Sequence, residues 1–158
     1  MISSHYHVSM TPAHALVTKA CLGILLHFDK DITSDTLLKF PLAEYAAKHW
    51  FEHARFEGVS ESTEEGMSQK FDRKIPHLAV WLWIYDPTIP SWKRRRNERE
   101  NTPLTPHGTP LHYAGFCGLY DVVKVLAAEH PQDVNSRSFA GEESPLHLTS
   151  RVGHIDTV

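Results

Sequence analysis

The sequence is poor in everything that marks a secreted, membrane-spanning or nucleic-acid-binding protein. Its 158 residues hold two cysteines, Cys21 and Cys117. They lie too far apart for metal-ligand or redox spacing, so they read as small core residues in a reducing compartment. No N-x-S/T sequon occurs, and the opening "MISSHYHVSM" has neither the positive start nor the apolar run of a signal peptide. No apolar run approaches the ~18 residues of a membrane span. The cytoplasm is the expected location. Sixteen basic residues face nineteen acidic ones, for a net charge of −3, which leaves no cationic surplus for neutralising a phosphate backbone. There is no G-x-x-x-x-G-K-[ST] string, so no backbone nest cradles a nucleotide phosphate. No nucleic acid, membrane, cofactor or metal is expected.

What the chain does have is helical periodicity, and the fold class it implies is all-α. Thr11-Pro12 is a helix-opening pair, since threonine caps free amides and proline at the first position sacrifices no hydrogen bond. Leu16, Val17, Ala20, Cys21, Ile24, Leu25 and Phe28 follow at helical spacing. A short helix in "TLLKF" and a longer one from Leu42 to Phe56, stopped by Gly58, come next. "VSESTEEG" reads as a polar linker, with a weak helix from Met67 to Phe71. "LAVWLWIYD" reads as helix among helices, with Trp81 and Trp83 filling a core. From Pro87 to His107 prolines gather around "KRRRNERE", the composition of a solvated crossing. The expected domains are therefore a helical module over 11–86, a linker over 87–107 and a third segment over 108–158.

That third segment says one thing twice. "TPLHYA" at Thr109–Ala114 returns as "SPLHLT" at Ser144–Thr149, 35 positions later, each followed by a glycine, Gly118 and Gly153. These strings resemble the ankyrin repeat, whose signature is T-P-L-H-x-A at a period of about 33 residues. The resemblance implies an all-α solenoid in which one repeat is complete and the second is cut short. Thr109 or Ser144 caps the first helix, Pro110 or Pro145 starts it, and Leu111 or Leu146 anchors it. His112 or His147 bonds back to the capping hydroxyl, and the glycine ends the helix. Thr149 departs from the small alanine that Ala114 supplies. Val122, Val123 and Leu126 form the inner stripe of the second helix. Ankyrin arrays bind protein partners through variable first-helix and loop-tip positions. Aromatic residues and arginine are favoured there, which selects Tyr113, Phe116, Phe139, Leu148 and Arg151.

The first hundred residues, through "LVTKACLGILLHFD", "FPLAEYAAKHWFEHARF" and "PHLAVWLWIYD", resemble the helical segment before the ankyrin array of fungal NACHT-type signalling proteins. Because the phosphate loop is missing, the NTPase activity of that family does not carry over. The resemblance implies a non-catalytic protein–protein interaction module, a fragment or stand-alone relative of a larger receptor. Its partner is an unidentified protein or further ankyrin repeats of a longer chain. The competing reading is a zinc hydrolase on "HWFEH": His49 and His53 share a helix face, and Glu52 would be the base. A helix interior that happens to hold two histidines explains the same string.

Overall fold

The computed structural model describes residues 10–72, 76–89, 103, 105–138 and 141–157. Among them there are eight α-helices and no strand. The elements are α1 (Met10–Leu26), α2 (Ser34–Leu37), α3 (Ala43–Ala54), α4 (Ser60–Phe71) and α5 (His77–Ile84), then α6 (Pro110–Phe116), α7 (Tyr120–Glu129) and α8 (Pro145–Val152). Most of the crossing, residues 90–102 and 104, lies outside the described residues, as does Phe139.

The N-terminal module packs α1 against α3 and α4, with α5 closing the group. Its centre is aromatic. Trp50 and Trp81 meet edge to face at 5.3 Å between centroids, and Phe71 joins both. The Trp81 indole N–H donates to the Ala47 carbonyl at 2.8 Å, so the larger ring is both buried and satisfied. Ala43, Ala46, Ala47 and Ala54 line the buried face of α3, and their small size lets α1 approach closely. The buried stripe of α1 is Thr18, Cys21, Leu22 and Leu25. It is rotated from the expected one: Leu16 and Ala20 face outward. Thr18 can enter the core because its hydroxyl donates to the His14 carbonyl one turn back.

The expected polar linker before Met67 is in fact the first half of α4. Val59, Thr63, Met67, Lys70 and Phe71 are buried at helical spacing. A stripe of this kind is hard to see in sequence, because two of its five members are polar. Thr63 hides its hydroxyl on the Val59 carbonyl at 2.9 Å.

The repeated segment continues the same core. Leu111, Tyr113, Ala114, Cys117, Leu119, Val122 and Leu126 join the buried cluster of the N-terminal module. Helix α6 packs on α7 within its copy and on α8 of the next, and α4 touches α7 across the junction. The linking tract "DVNSRS" does not form a strand among the described residues. A 3-10 turn, Pro131–Asp133, is followed by a tight reversal in which the Ser138 N–H donates to the Glu143 carbonyl.

Candidate functional site

In the first copy, the Thr109 N–H donates to His112 Nδ1 at 3.0 Å, the Thr109 hydroxyl lies 2.9 Å from the same nitrogen, and the pair forms a capping box. Because Nδ1 accepts, the ring proton sits on Nε2, which donates to the Glu143 carbonyl at 3.1 Å. His112 is thus a rivet: one nitrogen closes its own helix and the other holds the approach to the next copy. Burial pushes its pKa down, opposed by the Glu143 carbonyl and Asp133, so the neutral ring that this geometry needs is the favoured one.

The second copy repeats the cap. The His147 N–H donates to Ser144 Oγ at 3.4 Å, and Ser144 Oγ lies 2.6 Å from His147 Nδ1. The surroundings differ. Leu111 is 4 % exposed, whereas its counterpart Leu146 is 52 % exposed. His112 is buried, whereas His147 is exposed. The second copy contributes to the first pair's burial: α6 packs on α8, and His112 bonds the Glu143 carbonyl that leads into it.

The expected contact residues divide. Tyr113 and Leu148 are 3 % and 5 % exposed, so they are core and unavailable to a partner. Tyr113 turns inward because a helix of seven residues with two neighbours has little outer face; its hydroxyl meets the His107 and Gly108 backbone. Phe116 is half-buried. Arg151 is open, and its guanidinium rests 3.2 Å from the Glu143 carboxylate, a surface pair weak enough to exchange for a partner's acid. Cys117, read from the sequence as a small core residue, is sealed in the core, and burial pushes its thiol pKa up. It is no nucleophile.

Sequence reading missed the seam between the module and the repeats. A cleft of about 200 Å³ opens there, with Ala54, Phe56 and Met67 on one wall and Leu119, Tyr120 and Val122 on the other. Arg55 Nη1 stands 3.5 Å from His154 Nε2, which also bonds the Phe116 carbonyl at 3.1 Å. No local pattern announces this, since the residues come from five separate stretches.

"HWFEH" does not assemble as a hydrolytic centre. Glu52 is taken by His49, Oε2 to Nδ1 at 2.7 Å, and His53 turns to His14 of α1. Among the described residues, no group of three or more His, Cys, Asp or Glu is placed to hold a metal ion.

Residues 108–139 match the ankyrin repeat family. The chain carries an ankyrin repeat. The repeat coincides with the first copy, from Gly108, just before Thr109, to residue 139. A fungal protein from Monascus ruber, "Azaphilone pigments biosynthesis cluster protein L", is 23 % identical over 165 residues, covering 99 % of this chain. "Alpha-latrocrustotoxin-Lt1a" of Latrodectus tredecimguttatus is 43 % identical over 49 residues, 31 % of this chain. The chain spans 35 % of the length of the first and 3 % of the second. No solved structure matches. No helix among the described residues is long and apolar enough to cross a membrane.

Proposed function

We propose that the chain is a non-catalytic protein–protein interaction module. Its helical part (11–86) and the crossing (87–107) present an ankyrin segment (108–158), with Phe116, Phe139 and Arg151 as contact residues. One observation carries the reading: the surface that the second copy buries on the first is repeated, uncovered, on the second. Leu146 and His147 stand where Leu111 and His112 are covered, and Ile155, after α8, is 84 % exposed. A repeat stabilises its neighbour by covering such a face. The natural occupant is a unit of the same shape, a further ankyrin repeat of the same polypeptide or of a partner. The fungal relative aligns with 99 % of this chain over 35 % of its own length, which supports placing the module in a longer polypeptide; that this polypeptide is a fungal signalling protein rests on the resemblance of the first hundred residues alone. Sequencing the flanking genomic DNA for a phosphate-binding loop or further "TPLH" strings tests that placement.

The docking test is amide exchange with a consensus ankyrin repeat fused after Val158. Residues 144–157 should exchange fast in the chain alone and slow markedly in the fusion. Leu146→Lys should cancel the slowing. Equal protection with and without the added repeat would remove the proposal.

A further inference from the structure

The start of α1 and the end of α3 are joined by two imidazoles. His14 Nδ1 and His53 Nδ1 lie 2.7 Å apart, on rings whose centroids are 4.9 Å apart. One nitrogen of such a pair carries a proton and the other a lone pair, so a single proton holds the two helices at this point. Both rings are partly exposed. Phe56 fixes the first: it stacks on His14 at 3.4 Å between centroids, with planes 11° apart. The second ring stands among His49 and Glu52 of its own helix and His14 opposite. His49 and Glu52 are already engaged with each other at 2.7 Å.

We propose that His14 and His53 form a two-nitrogen site for a borderline divalent transition metal of the zinc class, which clamps α1 to α3 in place of the bridging proton. Neutral imidazole nitrogen is a ligand of choice for such ions. Metal–nitrogen bonds of about 2.0–2.1 Å at a tetrahedral angle set two ligand nitrogens roughly 3.3 Å apart. The rings need part by only about half an ångström from the present contact to reach that span. The Nδ1 proton moves to Nε2 of the same ring, or to water from a protonated ring, and water fills the remaining positions. Glu52 is held by His49, so the chain supplies two ligands, and the effect of the ion is to tie the two helices together. It bears on the cleft as well, because Phe56 both orients His14 and lines that cleft.

The partly buried position favours neutral His53, since burial and the neighbouring His14 lower its pKa, with Glu52 opposing.

The test is calorimetric titration of metal-free protein with Zn²⁺ at pH 7.5, paired with melting curves with and without the ion. The expected result is one strongest site per chain and a zinc-dependent rise in Tm. His14→Ala and His53→Ala should each weaken that site by about tenfold or more, while His49→Ala stays near the wild type. If an alanine variant fails to fold by circular dichroism, His14→Gln removes the ring nitrogen and keeps the polar surface. Absence of binding overturns the proposal. So does zinc affinity that survives loss of His14 but not of His49, because the α3 pair alone would then be the chelator.

Discussion

Gly115 and Thr149 meet where α6 and α8 cross. The ankyrin signature favours a small residue where Thr149 stands, and this chain accommodates the threonine by leaving its neighbour without a Cβ. A methyl group built on Gly115 would collide with Thr149 Oγ1, which is itself committed to the Pro145 carbonyl at 2.8 Å. Gly115→Ala should destabilise the repeats by about 1–3 kcal/mol, the range of core overpacking, despite the better helix propensity of alanine. Adding Thr149→Ala should return most of that loss, and a double-mutant cycle by urea denaturation measures it. Additive costs would mean that the two residues do not share this space. The helix-ending glycines offer a second comparison. Gly118 and Gly153 have φ of 67° and 78°, a left-handed backbone that costs other residues about 1–2 kcal/mol. Only at Gly118 would a Cβ also strike a neighbour, the His154 ring at 2.8 Å. Gly118→Ala should therefore cost more than Gly153→Ala, and equal midpoints in denaturant would refute the difference.

At the scale of the element, α4 holds the strangest residue of the fold. Lys70 is fully buried, its Nζ lies 5.8 Å from the centre of the Trp81 ring, and among the described residues no hydrogen-bond partner reaches it or Trp50 Nε1. Desolvation drives the Lys70 pKa well below its ordinary value. The folded state thus keeps this amine neutral at pH values where the unfolded chain binds a proton. Stability then rises with pH by about 1.4 kcal/mol per unit between the two pKa values, and is lost as pH falls. Lys70→Met should raise stability by about 1–3 kcal/mol, the cost of an unpaired buried polar group, and flatten the profile on the acid side of the ordinary lysine pKa. Parallel profiles for the two proteins would show that Lys70 is hydrated. The same lysine explains why α4 was only half legible. Periodicity finds helices whose buried positions are apolar, as in α3, whereas α4 buries a lysine and a threonine. The repeat was legible because its signature residues each have a local job that no other residue type does as well. The inward turn of Tyr113 and Leu148, the cleft and the His14–His53 contact are products of packing between distant segments, which no window of sequence contains.

For the whole molecule, the question is whether the repeats stand on the module or merely follow it. A single complete ankyrin repeat buries too little surface to be stable alone, and here the buried cluster runs without a break from Leu25 and Trp81 into Leu111 and Leu126. The chain carries a convenient reporter. Three of the four tryptophans, at positions 50, 81 and 83, lie in the module and the fourth, Trp92, in the crossing, so tryptophan fluorescence carries no signal from the repeats themselves. Leu111→Ala removes a buried anchor of α6 and should cost about 2–5 kcal/mol through lost burial and the cavity left behind. If module and repeats unfold as one unit, the tryptophan transition must move to lower denaturant by the amount that circular dichroism records for the whole chain. Should the fluorescence midpoint stay fixed while the helical signal develops an early step, the repeats would be a separate appendage. The module would then give them a tether and no support, and their stability would have to come from whatever covers Leu146.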